Sequence, residues 1–188
     1  MSGLPSDAAY PRGDLRSIVF HWTAGDYRTT YASYHVCIAL GDSGVPVASF
    51  TSDVRANMRD VRGSDDGYAA HTSGRNSYSI GLAICAMRDA TPSDFGPYPL
   101  RDDLIALACR AAAGLCRAYA IPVDRAHVYT HAEAALEDGY FGRGQDERWD
   151  IARLTPSPEP LRPDDAVQTG DELRRRVRAA LEDVRKAR

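Results

Sequence analysis

Two short apolar runs, each ending at a histidine, constrain the fold of this chain most strongly. Residues 18–20 form a run that stops at His21, and residues 128–130 lead directly into His131. Short runs of this kind that contain β-branched residues favour buried strands over helices. We therefore expect two imidazoles, far apart along the chain, to lie at the ends of buried strands.

Two further runs and the turn between them predict a β-hairpin. Residues 35–40 and 45–50 are strand-like, and the turn at residues 41–44 contains two glycines. Pro46 lacks a backbone donor, which favours an edge position for its strand. Residues 78–85 form another apolar run, which we expect to be a central strand.

One segment has the clear periodicity of a helix. Apolar side chains recur at helical spacing over residues 100–119, and Ile121 and Pro122 end the pattern. Residues 27–34 are weakly helical. Strands interleaved with a long helix, together with a hairpin, predict an α/β fold with a central mixed β-sheet flanked by helices.

The composition changes after residue 155, where we place a domain boundary. Residues 1–155 are predicted to form one domain, residues 156–168 a stiff proline-rich linker, and residues 169–188 a C-terminal amphipathic helix. Residues 169–172 match a capping box, which predicts the start of that helix.

The predicted C-terminal helix has one apolar and one basic face. The apolar stripe consists of Leu173, Val177, Ala180, Leu181 and Val184. The basic face carries Arg174, Arg175, Arg178, Arg185 and Lys186. Two interpretations are open: a helix packed back on the domain with a solvated basic face, or a helix that contacts an anionic envelope surface or a partner protein.

The overall composition excludes several classes of protein. A net charge of -3 and a pI near 5.9 give no indication of nucleic-acid binding. Runs of about 18 apolar residues are absent from the sequence, so we expect no integral membrane segment. The first residues lack the basic and apolar regions of an export signal, from which we expect synthesis in the cytoplasm.

The four cysteines fit the same compartment. Cys37 and Cys85 fall within strand-like runs, where a thiol behaves as a small hydrophobe. Cys109 and Cys116 lie on the predicted helix, roughly 10 Å apart along its axis, which is beyond disulfide reach. We expect all four to be core residues of a protein made in a reducing environment.

The two strand-end histidines also suggest a metal site. Two imidazoles and one carboxylate from separate loops would give zinc three protein ligands and leave a fourth position open, as in catalytic sites. Three acids follow the glycine-rich loop after His131, namely Asp146, Glu147 and Asp150. The residues alone do not decide which of them is the ligand.

Six short motifs, in order, resemble the zinc-dependent N-acetylmuramoyl-L-alanine amidases, a family that includes small phage lysozymes, cell-wall amidases and peptidoglycan-recognition proteins. The resemblance extends over residues 18–154 and implies the fold of that family, with the amidase domain in residues 1–155. The motifs are Val19-Phe20-His21-Trp22-Thr23, Ser33-Tyr34-His35-Val36, Ala70-His71-Thr72-Ser73-Gly74-Arg75-Asn76, Ser79-Ile80-Gly81-Leu82, His131-Ala132-Glu133 and Arg148-Trp149-Asp150.

The resemblance implies a ligand set and a catalytic tyrosine. It assigns His21, His131 and Asp150 as the zinc ligands. Tyr34 matches a tyrosine that assists the attacking water, whereas Ala83 stands where other members use a glutamate. The implied cofactor is therefore Zn²⁺, which would activate water and polarise the amide carbonyl.

Arg148 departs from the family pattern, which has a lysine two residues before the third ligand. A guanidinium can donate two hydrogen bonds to an oxyanion but cannot donate a proton at neutral pH. We therefore predict that Arg148 stabilises the oxyanion electrostatically. A surface ion pair with Glu147 or Asp146 is the alternative.

Other residues in the motifs have two interpretations each. The resemblance places His71 and Thr72 in a substrate-binding loop, where His71 would hydrogen-bond the peptide or sugar; the alternative for His71 is a structural role. Glu133 would either orient a ligand imidazole from behind or act as the acid of a helix N-terminus. We expect His35 and His127 to be non-ligands.

The implied function is hydrolysis of the amide bond between N-acetylmuramic acid and L-alanine, with peptidoglycan as the partner. With no export signal, the leading interpretation is a phage or prophage endolysin that is made in the cytoplasm and acts on the cell wall after release. The alternatives are a cytoplasmic amidase that recycles muropeptides and a non-catalytic module that binds peptidoglycan.

Overall fold

Five segments of the chain pair as strands of one sheet in the computed structural model, which describes residues 15–63, 67–142 and 149–186. The strands are β1 (Ser17–Trp22), β2 (Val36–Leu40), β3 (Pro46–Phe50), β4 (Ser79–Ile84) and β5 (Val128–Thr130). The helices are α1 (Asp102–Tyr119), α2 (His131–Glu137) and α3 (Pro163–Lys186), with a short 3₁₀ helix at Val54–Asn57. The predicted lead-in at residues 1–14 lies outside the described residues.

The sheet is mixed, as predicted, with the strand order β3-β2-β4-β1-β5. β1 pairs in parallel with β4 and β5, and β2 pairs in parallel with β4. Only the hairpin of β2 and β3 is antiparallel among the described strands. The predictions of a central strand at residues 78–85 and an edge position for Pro46 are both confirmed, because β4 lies in the middle and β3 at one side.

The two faces of the sheet have different coverings. Side chains such as Ile18, Phe20 and Leu82 belong to the main core, to which α1 and α3 also contribute. The alternate residues of the same strands, such as His21 and Gly81, face the opposite side, where the 3₁₀ helix and His71 pack. The candidate site therefore lies on the face that α1 does not cover.

The prediction of the long helix is confirmed, whereas the prediction of a weakly helical segment at residues 27–34 is not. α1 spans Asp102–Tyr119, and Ala120 ends it in a left-handed conformation with φ of 56°. The prediction of helix at residues 27–34 is wrong. The Asp26 carboxylate accepts hydrogen bonds from the backbone N–H groups of Arg28 and Thr29, which fixes a turn there instead.

The C-terminal helix begins at Pro163, six residues before the predicted start at 169. Proline is well tolerated in the first turn of a helix, so the proline-rich stretch does not extend to residue 168 as a linker. The capping box predicted at residues 169–172 is therefore wrong, and the Thr169 hydroxyl instead donates to the Ala152 carbonyl oxygen. Of the two interpretations of this helix, packing on the domain is the one observed.

Burial of the C-terminal helix involves one of its predicted basic residues as well as its apolar stripe. Leu173 and Val177 are buried in the main core, where α3 packs against α1. Arg174, predicted to lie on a solvated face, is only 2% exposed. The prediction fails there because Arg174 pairs with the buried carboxylate of Glu133.

The predicted core position of the four cysteines is confirmed. Cys37, Cys85, Cys109 and Cys116 are all buried free thiols. Among the described helices, none has the length and apolar character needed to cross a membrane.

His35 gives the fold a pH dependence. Its ring is fully buried, and its Nδ1 atom accepts a hydrogen bond from the Gly81 N–H at 2.9 Å. Burial lowers the pKa of His35 from 6.5 to about 4. An unfolded histidine takes up a proton below about pH 6.5, whereas the folded one does so only near pH 4, so protons favour unfolding between these values.

We predict that replacing His35 with Asn flattens the pH dependence of stability. The free energy of unfolding of the native sequence should fall as the pH is lowered from 6.5 to 4, with about 3 kcal/mol of that loss due to His35. Urea unfolding of the metal-free protein at several pH values measures this slope. An unchanged slope in His35→Asn would contradict the prediction.

Candidate metal site

Two imidazoles and one carboxylate converge at the open end of β1 and β5. Nδ1 of His21 lies 2.9 Å from Oδ2 of Asp150, and Nδ1 of His131 lies 3.2 Å from the same oxygen. One ligand atom from each of the three residues falls within 4.8 Å of the other two, an arrangement that could hold a metal ion. His21 is the penultimate residue of β1 and His131 is the first residue of α2, so regular elements position both rings.

A tight turn and two backbone contacts position Asp150. Its Oδ1 atom accepts a 2.7 Å hydrogen bond from the Trp22 N–H, and its carbonyl oxygen accepts one from the Ala132 N–H. Ile151 follows with a φ of 56°, which a β-branched residue rarely adopts. Such strain persists only where the surroundings impose it, and here the Ile151 side chain is fully buried.

A chain of hydrogen bonds behind His21 favours one tautomer of its ring. The Ser79 hydroxyl has backbone carbonyl oxygens at 2.7 and 2.9 Å to which it can donate, so it accepts from Nε2–H of His71 at 3.0 Å. Nδ1 of His71 is then an acceptor, and it lies 3.3 Å from Nε2 of His21. The Thr72 hydroxyl lies 3.2 Å from the same nitrogen. A proton on Nε2 of His21 satisfies these contacts and leaves the Nδ1 lone pair facing Asp150.

This tautomer brings two acceptor atoms into close contact. Burial lowers the pKa of His21, which favours the neutral ring, although Asp150 acts in the opposite direction. Burial alone would raise the pKa of Asp150, but hydrogen bonds and positive charge from His131 and His21 lower it, so positive charge on this side of the carboxylate keeps it ionised. A lone pair and a carboxylate oxygen only 2.9 Å apart repel each other unless a cation lies between them.

The donor set suits zinc. Zinc takes neutral imidazole nitrogens and carboxylate oxygens at about 2.0–2.2 Å, so adjacent ligand atoms of a tetrahedral site are about 3.3 Å apart. The contacts of His21 and His131 with Asp150 are close to that spacing. The three side chains therefore fit the cofactor that the motifs imply.

Tyr34 lies beside the three convergent groups. Its ring centroid is 5.1 Å from that of His21, and its hydroxyl donates to the Trp22 carbonyl oxygen at 3.2 Å. Burial, with a smaller effect of the Asp150 charge, raises the pKa of Tyr34 well above its usual value. The phenol therefore stays protonated, and its chemistry is that of a hydrogen-bond donor rather than a base.

A cavity of about 700 Å³ opens over the site. The rings of Trp22 and Trp149 meet edge to face at 4.3 Å and form an apolar wall. Met87 and Asp89, both with positive φ, also line the cavity. Strained backbone positions of this kind cluster at sites of function.

The predicted site residues do not all lie at this cavity. His71 lines it, but Thr72 is only 1% exposed, and the Thr72 hydroxyl is directed at His21. Glu133 caps α2 together with Thr130, so its contacts are those of the helix N-terminal alternative. Arg148, Asp146 and Glu147 lie outside the described residues. His35 and His127 are not in the convergent group, as predicted.

Ser79 and Gly81 are site residues that the sequence did not identify as such. Ser79 holds Nε2 of His71, and a Cβ atom on Gly81 would lie 2.5 Å from the His71 ring. The alternation of β4 could have placed them at the site, because Ser79 and Gly81 lie on one face of the strand, which is also the face of His21. The strand could be read from the sequence, but the loop that packs on it could not.

Comparison with known families agrees with this geometry. The family model described as N-acetylmuramoyl-L-alanine amidase matches residues 11–149. The chain belongs to the N-acetylmuramoyl-L-alanine amidase family. No curated protein matches the chain. Membership supports activity as a peptidoglycan amidase in general, and the matched residues include His21, Tyr34 and His131.

Proposed function

We propose that this chain is a zinc-dependent amidase that hydrolyses the bond between N-acetylmuramic acid and L-alanine in peptidoglycan. The observation that carries the proposal is the convergence of His21, His131 and Asp150 on one point, beside a cavity that His131 and Asp150 line. Three protein ligands leave room for solvent or substrate, which is the arrangement of catalytic rather than structural zinc. When bound in such a site, zinc supplies a Lewis acid that polarises a carbonyl and acidifies water.

The protein side chains have separate tasks in this proposal. Asp150 keeps its charge while the Trp22 N–H holds one of its oxygens. Tyr34, which the resemblance assigns to assisting the attacking water, would turn its hydroxyl from the Trp22 carbonyl oxygen to the oxygen that gains negative charge as the amide carbon is attacked. Arg148, where the family has lysine, would add a fixed positive charge there, but as a guanidinium it would not deliver a proton to the departing nitrogen.

His71 and Thr72 have a role besides the substrate contact predicted for them. Both ring nitrogens of His71 already have partners, in Ser79 on one side and Thr72 with His21 on the other. We therefore propose that both residues hold His21 in place. Their predicted contact with the peptide or sugar of the substrate is a separate proposal. The apolar wall of Trp22 and Trp149 offers a surface for the substrate and excludes water from one side of the cavity.

We also propose that the chain acts as an endolysin, made in the cytoplasm and reaching the cell wall after release. Digestion of intact sacculi in preference to soluble muropeptides would support this setting over muropeptide recycling.

The proposed contact of the C-terminal helix with an anionic envelope is supported only by the positive charge of its arginines. The exposed Arg175 already pairs with Glu172, and Arg178 donates to the Val123 carbonyl oxygen.

We predict that the purified protein holds one zinc ion per chain and digests sacculi. His131→Ala and Asp150→Ala should lose the ion and slow digestion by more than about 100-fold. Loss of a residue that only hydrogen-bonds a metal ligand already costs up to about 100-fold, and loss of the ligand itself should cost more. Elemental analysis and release of free L-alanine amino groups measure the two quantities. The control is His127→Ala, which should match the native protein. A native protein without zinc, or variants that digest sacculi as fast as the native protein, would contradict the proposal.

A second prediction concerns Tyr34. Tyr34→Phe should lower kcat by about 10²- to 10³-fold with KM little changed, because the lost hydrogen bond forms in the transition state. Zinc content should not change, since Tyr34 is not a ligand. Tyr31→Phe is the matched control, at an exposed tyrosine outside the cavity. Equal kcat values for the two variants would remove Tyr34 from the mechanism.

A further inference from the structure

The third helix lies beyond the residues that the family model matches, yet it contacts the segments that carry two of the three convergent groups. The match ends at residue 149, and α3 begins at Pro163. One and a half turns of α3, residues 169–174, contact both the start of α2 and the turn after Asp150. These contacts give the helix a role at the site that its basic surface does not suggest.

The first contact is a buried ion pair behind His131. Arg174 donates to both carboxylate oxygens of Glu133, at 2.9 and 2.8 Å, and to the Val128 carbonyl oxygen of β5 at 2.9 Å. The two side chains are 2% and 1% exposed. Arg125 also approaches Glu133, but at 3.7 Å and from a half-exposed position. Arg174 is thus the principal buried partner of this carboxylate among the described residues.

Glu133 in turn hydrogen-bonds Thr130, the residue before the proposed ligand His131. Its Oε2 atom accepts the Thr130 N–H at 3.0 Å, while the Thr130 hydroxyl accepts the Glu133 N–H at 3.1 Å. This capping box fixes the first turn of α2, whose first residue is His131. The position of the His131 ring therefore depends on a carboxylate that α3 holds.

Close backbone packing completes the contact. A Cβ atom on Gly170 would lie 2.0 Å from Oε2 of Glu133, so any larger residue would displace the carboxylate. One residue earlier, the Thr169 hydroxyl donates to the Ala152 carbonyl oxygen at 2.8 Å. Ala152 closes the turn that presents Asp150, through a hydrogen bond to the Trp149 carbonyl oxygen.

We propose that Arg174 and Gly170 of α3 are positioning residues for the metal site, acting through Glu133 on His131. The inference rests on the proposed function, because it gives α3 a task at the same site. α3 is then part of the catalytic unit, although the family match does not include it. Its contribution is to hold two ligands from separate segments in the relative position that the ion requires.

The test compares metal affinity with stability in matched variants. Arg174→Met removes the buried charge, Arg175→Met removes an exposed charge on the next residue, and Val177→Ala weakens the core packing of the same helix away from Glu133. Zinc dissociation constants are measured by competition with a chromophoric chelator, and stability by urea unfolding of the metal-free protein. Arg174→Met should weaken zinc binding by about 10- to 100-fold. Arg175→Met and Val177→Ala should stay within about 2-fold of the native affinity.

A rescue separates positioning from general damage and covers the case in which Arg174→Met does not fold. Glu133→Gln combined with Arg174→Met leaves no unpaired buried charge, and the Gln carbonyl oxygen can still accept the Thr130 N–H. This double variant should recover zinc affinity to within about 3-fold of native. Gly170→Ala, which keeps every charge, should weaken binding as Arg174→Met does. Native affinity in Gly170→Ala, or no recovery in the double variant, would overturn the inference.

An NMR measurement without metal distinguishes failure of this inference from failure of the proposed function. The Cε1–H signal of His131 in the metal-free protein should shift in Gly170→Ala and not in Arg175→Met. If the native protein binds no zinc but this signal shifts, the proposed function fails and the positioning stands. If zinc binds and the signal is the same in both variants, the positioning fails alone.

Discussion

The contact on which the site depends is that of one carboxylate oxygen with two imidazole nitrogens. Oδ2 of Asp150 lies 2.9 Å from Nδ1 of His21 and 3.2 Å from Nδ1 of His131, and both Asp150 and His131 line the cavity. If both nitrogens carry lone pairs, three acceptors meet there, and only a cation reconciles them. The proposed zinc is one such cation, and its preferred ligands and spacing match this set.

Each of the three groups is held by a different part of the fold. A strand end and the chain of Thr72, His71 and Ser79 hold His21, whereas the Trp22 N–H holds Asp150. His131 depends on a helix start that α3 holds from behind. Segments distant in sequence must therefore pack correctly before the ligands meet, so metal binding should report on the integrity of the whole domain.

Residues at strand ends could be predicted from the sequence, whereas partners from packed loops and helices could not. His21 and His131 follow short apolar runs, and local pattern is enough to place them. The spacing of Arg174 on α3 resembles that of the exposed arginines and predicts a solvated position, whereas the tertiary position of Glu133 buries it. α3 starts earlier than predicted, because a run of prolines indicates a linker although one proline fits the first turn of a helix. Burial and pairing of charged residues depend on contacts that periodicity does not contain.

The most direct test of the central claim is a zinc-edge anomalous difference map from crystals of the native protein. We predict one peak about 2.0–2.2 Å from Nδ1 of His21, Nδ1 of His131 and a carboxylate oxygen of Asp150. Bonding through Nδ1 of His21 would agree with the tautomer that Ser79 and His71 favour. A peak bonded to Nε2 of His21, or to a different set of side chains, would contradict the account.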